Sequence, residues 1–360
     1  MKICLVGLPQ SGKSALFSAL TGLAAAPAAS KGAEQIAVVK VPDQRITVLS
    51  EIFKPKKRTP ASIEFSEIAG IEAGDSKGRG LTEQFLARLR AADALLCVVR
   101  AFADPAVPHP LDSLDPVRDL RLLEAEFLLS DLAIIEGREE RLVKQIAAKK
   151  SEHDVRELDV LRKCRALLET ETPLRRAVLK PEEEKLVRGF RFLTIKPLIV
   201  AINLGEDEIG REAGALAPFA PWMELEKTTV IGISARLEME IRQFPEDEAR
   251  ALLSDFGLSD TALNRLIATS FRLLGLASFF TVGSDEVKAW TIREGTRAAQ
   301  AAGTIHSDIE RGFIRAEVVP FEAFAESGSL PECRATGTLR LEGKDYPVRD
   351  GDIINFRFAV

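Results

Sequence analysis

Residues 7–14 read Gly7, Leu8, Pro9, Gln10, Ser11, Gly12, Lys13, Ser14, the spacing G-x-x-x-x-G-K-S. Such a run can wrap a phosphate. Successive backbone N–H groups and the positive end of a following helix point at the anion, and a Cβ at Gly12 would obstruct that approach. Lys13 supplies a point charge to the β- and γ-phosphates, and the Ser14 hydroxyl is suited to Mg²⁺. The expected contacts are Pro9, Gln10, Ser11, Gly12, Lys13, Ser14 and Ala15, with Lys13 also acting on the transferring phosphate. The chemistry is that of a nucleoside-triphosphate site.

Two further groups follow in a consistent order. Glu67-Ile68-Ala69-Gly70 has an acid and a glycine where switch NTPases carry D-x-x-G. The acid holds Mg²⁺ through water and the glycine N–H senses the γ-phosphate; here the acid is one methylene longer. Gly74, Gly78 and Gly80 come next, as a mobile switch requires, and Ile71 stands where many such proteins place a water-orienting Gln. Asn203-Leu204-Gly205-Glu206 occupies the place of the guanine-reading N-K-x-D. Leu204 cannot replace the lysine and Glu206 needs a different reach, which argues against strict guanine specificity. Ser234-Ala235 fits the pair that supports the base from its other side.

These residues need a scaffold that brings loops to one edge. The apolar run 2–7 reads as a buried parallel strand that ends where the phosphate loop begins. Residues 36–41, 63–68, 94–99, 197–202 and 230–233 read as further strands, and 13–20 as a helix. Strands alternating with helices give an α/β, doubly wound P-loop NTPase domain at 1–115 and 196–276. Between its strands, 116–195 shows helical spacing, mixed charge and no strand. Two long antiparallel helices joined near 151–154 are expected, an inserted coiled-coil arm. Residues 277–360 supply strands at 279–282, 287–292, 315–319, 337–342, 346–348 and 353–358 and a small-residue helix at 296–305, the pattern of a β-grasp module.

Composition sets outer limits. The 360 residues are 46% hydrophobic and 29% charged, which excludes a disordered or collagenous chain. Net charge is −5, so nucleic-acid binding through bulk charge is excluded and must rest on a local patch. No apolar run approaches the ~18 residues that span a bilayer. The apolar start, cut at Gln10, is too short for a signal peptide, and a cytoplasmic monomer without membrane contact is expected. The four cysteines are far apart and suggest neither a disulfide framework nor a zinc site.

The chain resembles the YchF/Obg-like ATPase family of translation-factor-class P-loop proteins, nearly end to end. The resemblance rests on G-x-P-x-x-G-K-S at 7–14, S-K-G-x-G-L at 76–81 and N-x-x-E at 203–206. Its most specific part is A-W-T-I-R-E-G-T at 289–296, continued at 300–306 and 312–317, with L-E-G-K-D-Y at 341–346 and F-R-F at 356–358. It implies that 277–360 is a TGS domain. It also implies ATP preferred over GTP, and association with a ribosome or RNA through arm and TGS domain. It further points to a histidine nine residues beyond Arg100, namely His109, as the hydrolytic group; an imidazole can accept from water and donate to a phosphate oxygen. The family usually carries Asn at Gln10, Asp at Glu67, and an aromatic, threonine-containing switch I where residues 30–35 stand. The expectation is a nucleotide-dependent switch with slow ATP hydrolysis. A non-hydrolysing, nucleotide-sensing module that binds a protein stays open beside it.

Overall fold

The computed structural model describes residues 1–23, 34–68 and 81–359. Gly70, Ile71, Gly74, Gly78 and Gly80 of the expected switch, and most of the altered switch I segment, lie outside them. Contacts divide the chain into two units, 1–37 with 64–266 and 38–63 with 267–360.

The first unit is built on a sheet ordered β2-β4-β1-β5-β6-β7. Its strands are β1 (Lys2–Val6), β2 (Glu34–Lys40), β4 (Ser62–Ile68), β5 (Ala94–Arg100), β6 (Leu198–Asn203) and β7 (Thr228–Ile233). The pairings β1–β4, β1–β5, β5–β6 and β6–β7 are parallel. Every residue of β5 and β6 is buried, as their apolarity on both faces requires. Register decides where the chemistry sits. Leu5 lies beside Glu67, Val6 beside Cys97, Arg100 beside Asn203, and Asn203 beside Ile233. The candidate residues therefore leave the sheet at the carboxyl ends of its strands, beside β1 where the strand order reverses, the usual ligand crevice of such sheets.

Helix α1 (Lys13–Thr21) follows the phosphate loop. The arm consists of α2 (Pro116–Ala148) and α3 (Glu152–Glu169). Asp115 caps α2 by accepting from the Arg118 N–H, with Pro116 in the first turn, and Ser151 caps α3 by accepting from the Asp154 N–H. Ile135 and Leu142 pack with Leu158, Leu161 and Leu168 between the helices. The joint is tighter than expected, at 149–151. The helices are also unequal, because Pro173 and Pro181 break the return into a turn at Leu174–Arg176 and a short helix at Pro181–Val187. Two acids, the buried Asp131 and the half-buried Glu124, tie the root of α2. Asp131 accepts from the Leu193 N–H at 2.9 Å and from the Thr194 N–H and hydroxyl at 2.8 Å each. Glu124 accepts from Arg175 at 2.5 Å and from Trp222 Nε1 at 2.7 Å.

The second unit holds the sheet β11-β10-β12-β8-β9-β3. Its strands are β3 (Lys57–Thr59), β8 (Leu276–Thr281), β9 (Glu286–Arg293), β10 (Phe313–Pro320), β11 (Arg340–Glu342) and β12 (Asp352–Phe358). Strands β8 and β9 form a hairpin, β10 pairs antiparallel with β12, and β12 runs parallel to β8. On one face helix Ala298–Ile305 buries Ala298, Ala301 and Ala302 with Phe279, Ile292, Val318 and Phe356. This is the β-grasp arrangement. It is larger than 277–360, because β3 joins β9 in parallel and Thr59 donates to Glu286 at 2.6 Å. Arg45, just before it in the chain, reaches Asp43 and, at 2.7 Å, Asp350. Residues 346–348 are not a strand; Pro347 alone bridges to Arg297. The Tyr346 hydroxyl instead donates to Asp352 at 2.9 Å and accepts from Arg340 at 3.0 Å. All four cysteines are buried thiols.

Candidate nucleotide site

The loop from β1 to α1 turns on two left-handed residues, Gln10 at φ 60° and Gly12 at φ 90°. Gly12 is required twice over, since a Cβ there would also lie 2.1 Å from Asn203 Nδ2. Gly7 runs against β5, where a Cβ would come within 2.3 Å of the Val98 carbonyl. Lys13 is folded back over the loop, donating to the carbonyls of Gly7 at 2.9 Å and Leu8 at 2.7 Å. Burial pushes its pKa down to about 8, against the opposing pull of Glu67.

Ser14 and Glu67 meet. The Ser14 hydroxyl donates to Glu67 Oε1 at 2.5 Å, and the Glu67 carboxylate is buried. The longer acid thus still reaches the helix that carries Ser14. Two oxygens converging at the phosphate loop, one of them anionic, form a donor set that suits Mg²⁺.

At the other end of the loop, Asn203 acts as a strut. Its Nδ2 donates to the Ser11 carbonyl at 3.0 Å, and its Oδ1 accepts from the Ala235 N–H at 3.0 Å. Ser234 caps the helix Ala235–Ile241 by accepting from the Leu237 N–H, so its hydroxyl serves the helix. The Leu204 side chain is buried in the core rather than facing the loop. Glu206 pairs with Arg236 at 2.9 Å. Phe102 was not among the expected residues. The N–H groups of Ala101 and Phe102 donate to the Asn203 carbonyl, and the Phe102 ring lies 3.9 Å from where a Gly12 Cβ would stand. Arg100 stacks on that ring at 4.5 Å and donates to the carbonyls of Phe102 and Val107. An aromatic two residues past a strand-end arginine was the available signal.

His109 borders the loop from the opposite side, lining a small space with Leu8, Pro9, Ser11 and Asp119. Its Nε2 lies 2.8 Å from Asp119 Oδ2. The loop, Ser14, Glu67, Asn203, Ser234 and Ala235 therefore share one edge, Leu204 and Glu206 are engaged elsewhere, and His109 is adjacent but bonded away.

A parallel sheet with this loop between β1 and α1 defines a P-loop nucleoside triphosphatase. A family model described as a 50S ribosome-binding GTPase matches residues 2–126, and a YchF C-terminal model, described as a protein of unknown function, matches 276–359. The protein named ribosome-binding ATPase YchF in Bacillus subtilis (strain 168) is 40% identical over 361 residues, which cover 99% of this chain and 98% of that one. Obg-like ATPase 1 of Oryza sativa subsp. japonica is 38% identical over 366 residues, covering 100% and 92%. A solved structure described as the Schizosaccharomyces pombe YchF GTPase superposes with a TM-score of 0.87 at 33% identity, covering 99% of this chain and 97% of that one. The chain belongs to the YchF family.

Proposed function

We propose that the protein is a nucleotide-dependent switch that binds Mg·ATP, hydrolyses it slowly and engages the ribosome. The observation that carries this reading is the convergence of Lys13, Ser14 and Glu67 at the carboxyl edge of the sheet. Ser14 and Glu67 would hold Mg²⁺, which when bound neutralises charge on the β- and γ-phosphates. Lys13 exchanges two loop carbonyls for phosphate oxygens.

Adenine is favoured over guanine by what the site withholds. Both polar ends of Asn203 are spent inside the protein, the Glu206 carboxylate is paired with Arg236, and Leu204 is buried. Among the described residues of the Asn203–Glu206 motif no carboxylate is left poised for the guanine edge, while Phe102 offers a ring on which any purine can stack. The relatives' names differ on this point, ATPase in Bacillus subtilis and GTPase in Schizosaccharomyces pombe. Calorimetry with Mg·ATP and Mg·GTP should show ATP at least as tight; GTP tighter by about 100-fold would mean that a buried hydrogen-bond pair to guanine had been overlooked.

Ribosome engagement draws on the relatives' name, ribosome-binding ATPase, and on the arm. Of its basic pairs, Lys149, Lys150, Arg162 and Arg176 are exposed, whereas Arg175 is buried against Glu124 and Lys163 pairs with Glu183. The first four supply the phosphate contacts, so co-sedimentation with ribosomes should weaken steeply with salt. This reading places the protein in the cytoplasm. Nucleotide sensing without turnover is favoured by one observation, the engagement of both His109 ring nitrogens. Single-turnover phosphate release separates the two.

A further inference from the structure

His109 lies between the end of β5 and the first turn of α2, and its ring is 7% exposed. The space it shares with Leu8, Pro9 and Ser11 has no room for a water. Both ring nitrogens are occupied: Nε2 lies 2.8 Å from Asp119 Oδ2, and Nδ1 accepts from the Leu111 N–H at 3.1 Å. An Nδ1 that accepts carries no proton, so the ring is the neutral Nε2–H tautomer and donates to Asp119. Asp119 is itself fixed, its Oδ1 accepting from Arg118 Nε at 3.0 Å and Nη2 at 2.8 Å. Arg118 in turn donates to the Ser113 hydroxyl and carbonyl at 2.7 Å each. The chain from His109 to Ser113 closes a ring of hydrogen bonds on the root of the arm.

An imidazole held in this way can neither accept from water nor donate to a phosphate oxygen. When a carboxylate orients a catalytic histidine it takes one nitrogen and leaves the other for the reactant. Here the second nitrogen is taken by Leu111. We infer that Asp119 is a positioning residue that withholds His109 from the phosphates until the first turn of α2 releases it. The inference rests on the hydrolytic role that the family resemblance implies for His109. It gives the arm a direct hold on turnover, because Arg118 and Asp119 belong to the helix that ends at Ala148, immediately before the exposed Lys149 and Lys150.

The test is single-turnover hydrolysis of Mg·ATP by the full chain, with Asp119→Ala, Asp119→Asn, His109→Ala and the His109→Ala/Asp119→Ala double variant. Loss of one charge-assisted hydrogen bond should raise the Asp119→Ala rate about tenfold. Asp119→Asn, which still accepts but without charge, should give a smaller rise, and the double variant should fall to the His109→Ala level. With three histidines in the chain, ¹⁵N spectra should resolve His109 as a fixed Nε2–H tautomer in the wild type. An averaged tautomer in the wild type overturns the inference without any variant having to fold. So does an Asp119→Ala rate that is unchanged or slowed, or a double variant that keeps the rise. If His109→Ala alone hydrolyses like wild type, the hydrolytic role fails first and the latch with it.

Discussion

The Asn203 carboxamide joins the phosphate loop to the loop after β7, giving a hydrogen bond to the Ser11 carbonyl at 3.0 Å while taking one from the Ala235 N–H. The side chain is buried, so neither partner has water as a substitute. Asn203→Asp keeps the acceptor and turns the donor into a second acceptor that faces a carbonyl. Urea denaturation should show a loss of about 1–3 kcal/mol, the cost of a buried group left unpaired. Mg·ATP affinity should fall with it, because Ser11 is no longer held; an unchanged midpoint would show that the strut bears no load.

Lys13 sets a pH dependence. Burial holds its pKa at about 8, below the ordinary 10.5. Above about pH 8 the folded chain gives up this proton while the unfolded chain keeps it, so the lysine's burial penalty is relieved and stability rises until about pH 10.5. Nucleotide binding runs the other way, since the phosphates need the charged amine. Near pH 9 Mg·ATP binding should take up a proton, and near pH 7 it should take none through this group. Calorimetry in buffers of different ionisation heat measures the count, and equal counts at the two values would contradict the assignment.

Glu238 has the opposite sign. Burial raises its carboxyl to about 7, although the N–H groups of Ala262 and Leu263 donate to it at 2.6 and 3.3 Å and pull downward. A raised carboxyl contributes its stability fully below the ordinary 4.5 and loses it as pH rises through about 7. Glu238→Gln can still accept from both amides and carries no charge to bury. Its denaturation free energy should be flatter than the wild type's across that window and higher above it. Parallel curves for the two proteins would be the contrary result.

Glu124 neutralises Arg175, whose side chain is 1% exposed. Glu124→Ala leaves that guanidinium buried without a counter-charge, a loss of about 3–5 kcal/mol. Glu124→Gln should cost less, since an amide oxygen still accepts from one of the two donors. Trp222, one of two tryptophans, donates to the same carboxylate, so its emission should move to the red in Glu124→Ala as its indole is freed. An unshifted spectrum together with wild-type stability would remove this pair from the arm's attachment.

The legible parts of the site were those written in consecutive residues. Residues 7–14 and the strands that place Glu67 and Asn203 follow from local pattern, because a phosphate loop needs contiguous backbone and a buried parallel strand needs an unbroken apolar run. The bond from His109 to Asp119 was not legible, since it joins a proline-flanked loop to a helix turn ten residues on. Leu204 was read only as a missing lysine. Its burial beside Gly232, where a Cβ would approach it to 3.0 Å, depends on β7, which the tetrapeptide does not record. Strand β3 was missed because Lys57, Arg58 and Thr59 show no apolar alternation; their pairing is chosen by Glu286 and the edge of β9. The strand expected at 346–348 failed for a related reason. Pro347 lacks an N–H, and Tyr346 spends its hydroxyl on Asp352 and Arg340.

The make-up of the second sheet also bears on how the chain must be born. Strand β12 lies between β10 and β8, inside the sheet, although it spans residues 352–358. At the other border β3 comes from residues 57–59 and pairs with residues 286–288. On a ribosome that releases the chain from its N-terminus, β3 emerges more than two hundred residues ahead of its partner β9, and the sheet cannot close until residue 358 has been made. During that interval Phe53 stands without Phe324, the ring it later stacks on. The nascent chain is thus obliged to keep β3 unpaired through most of its own synthesis, a window in which a holding chaperone would find its substrate.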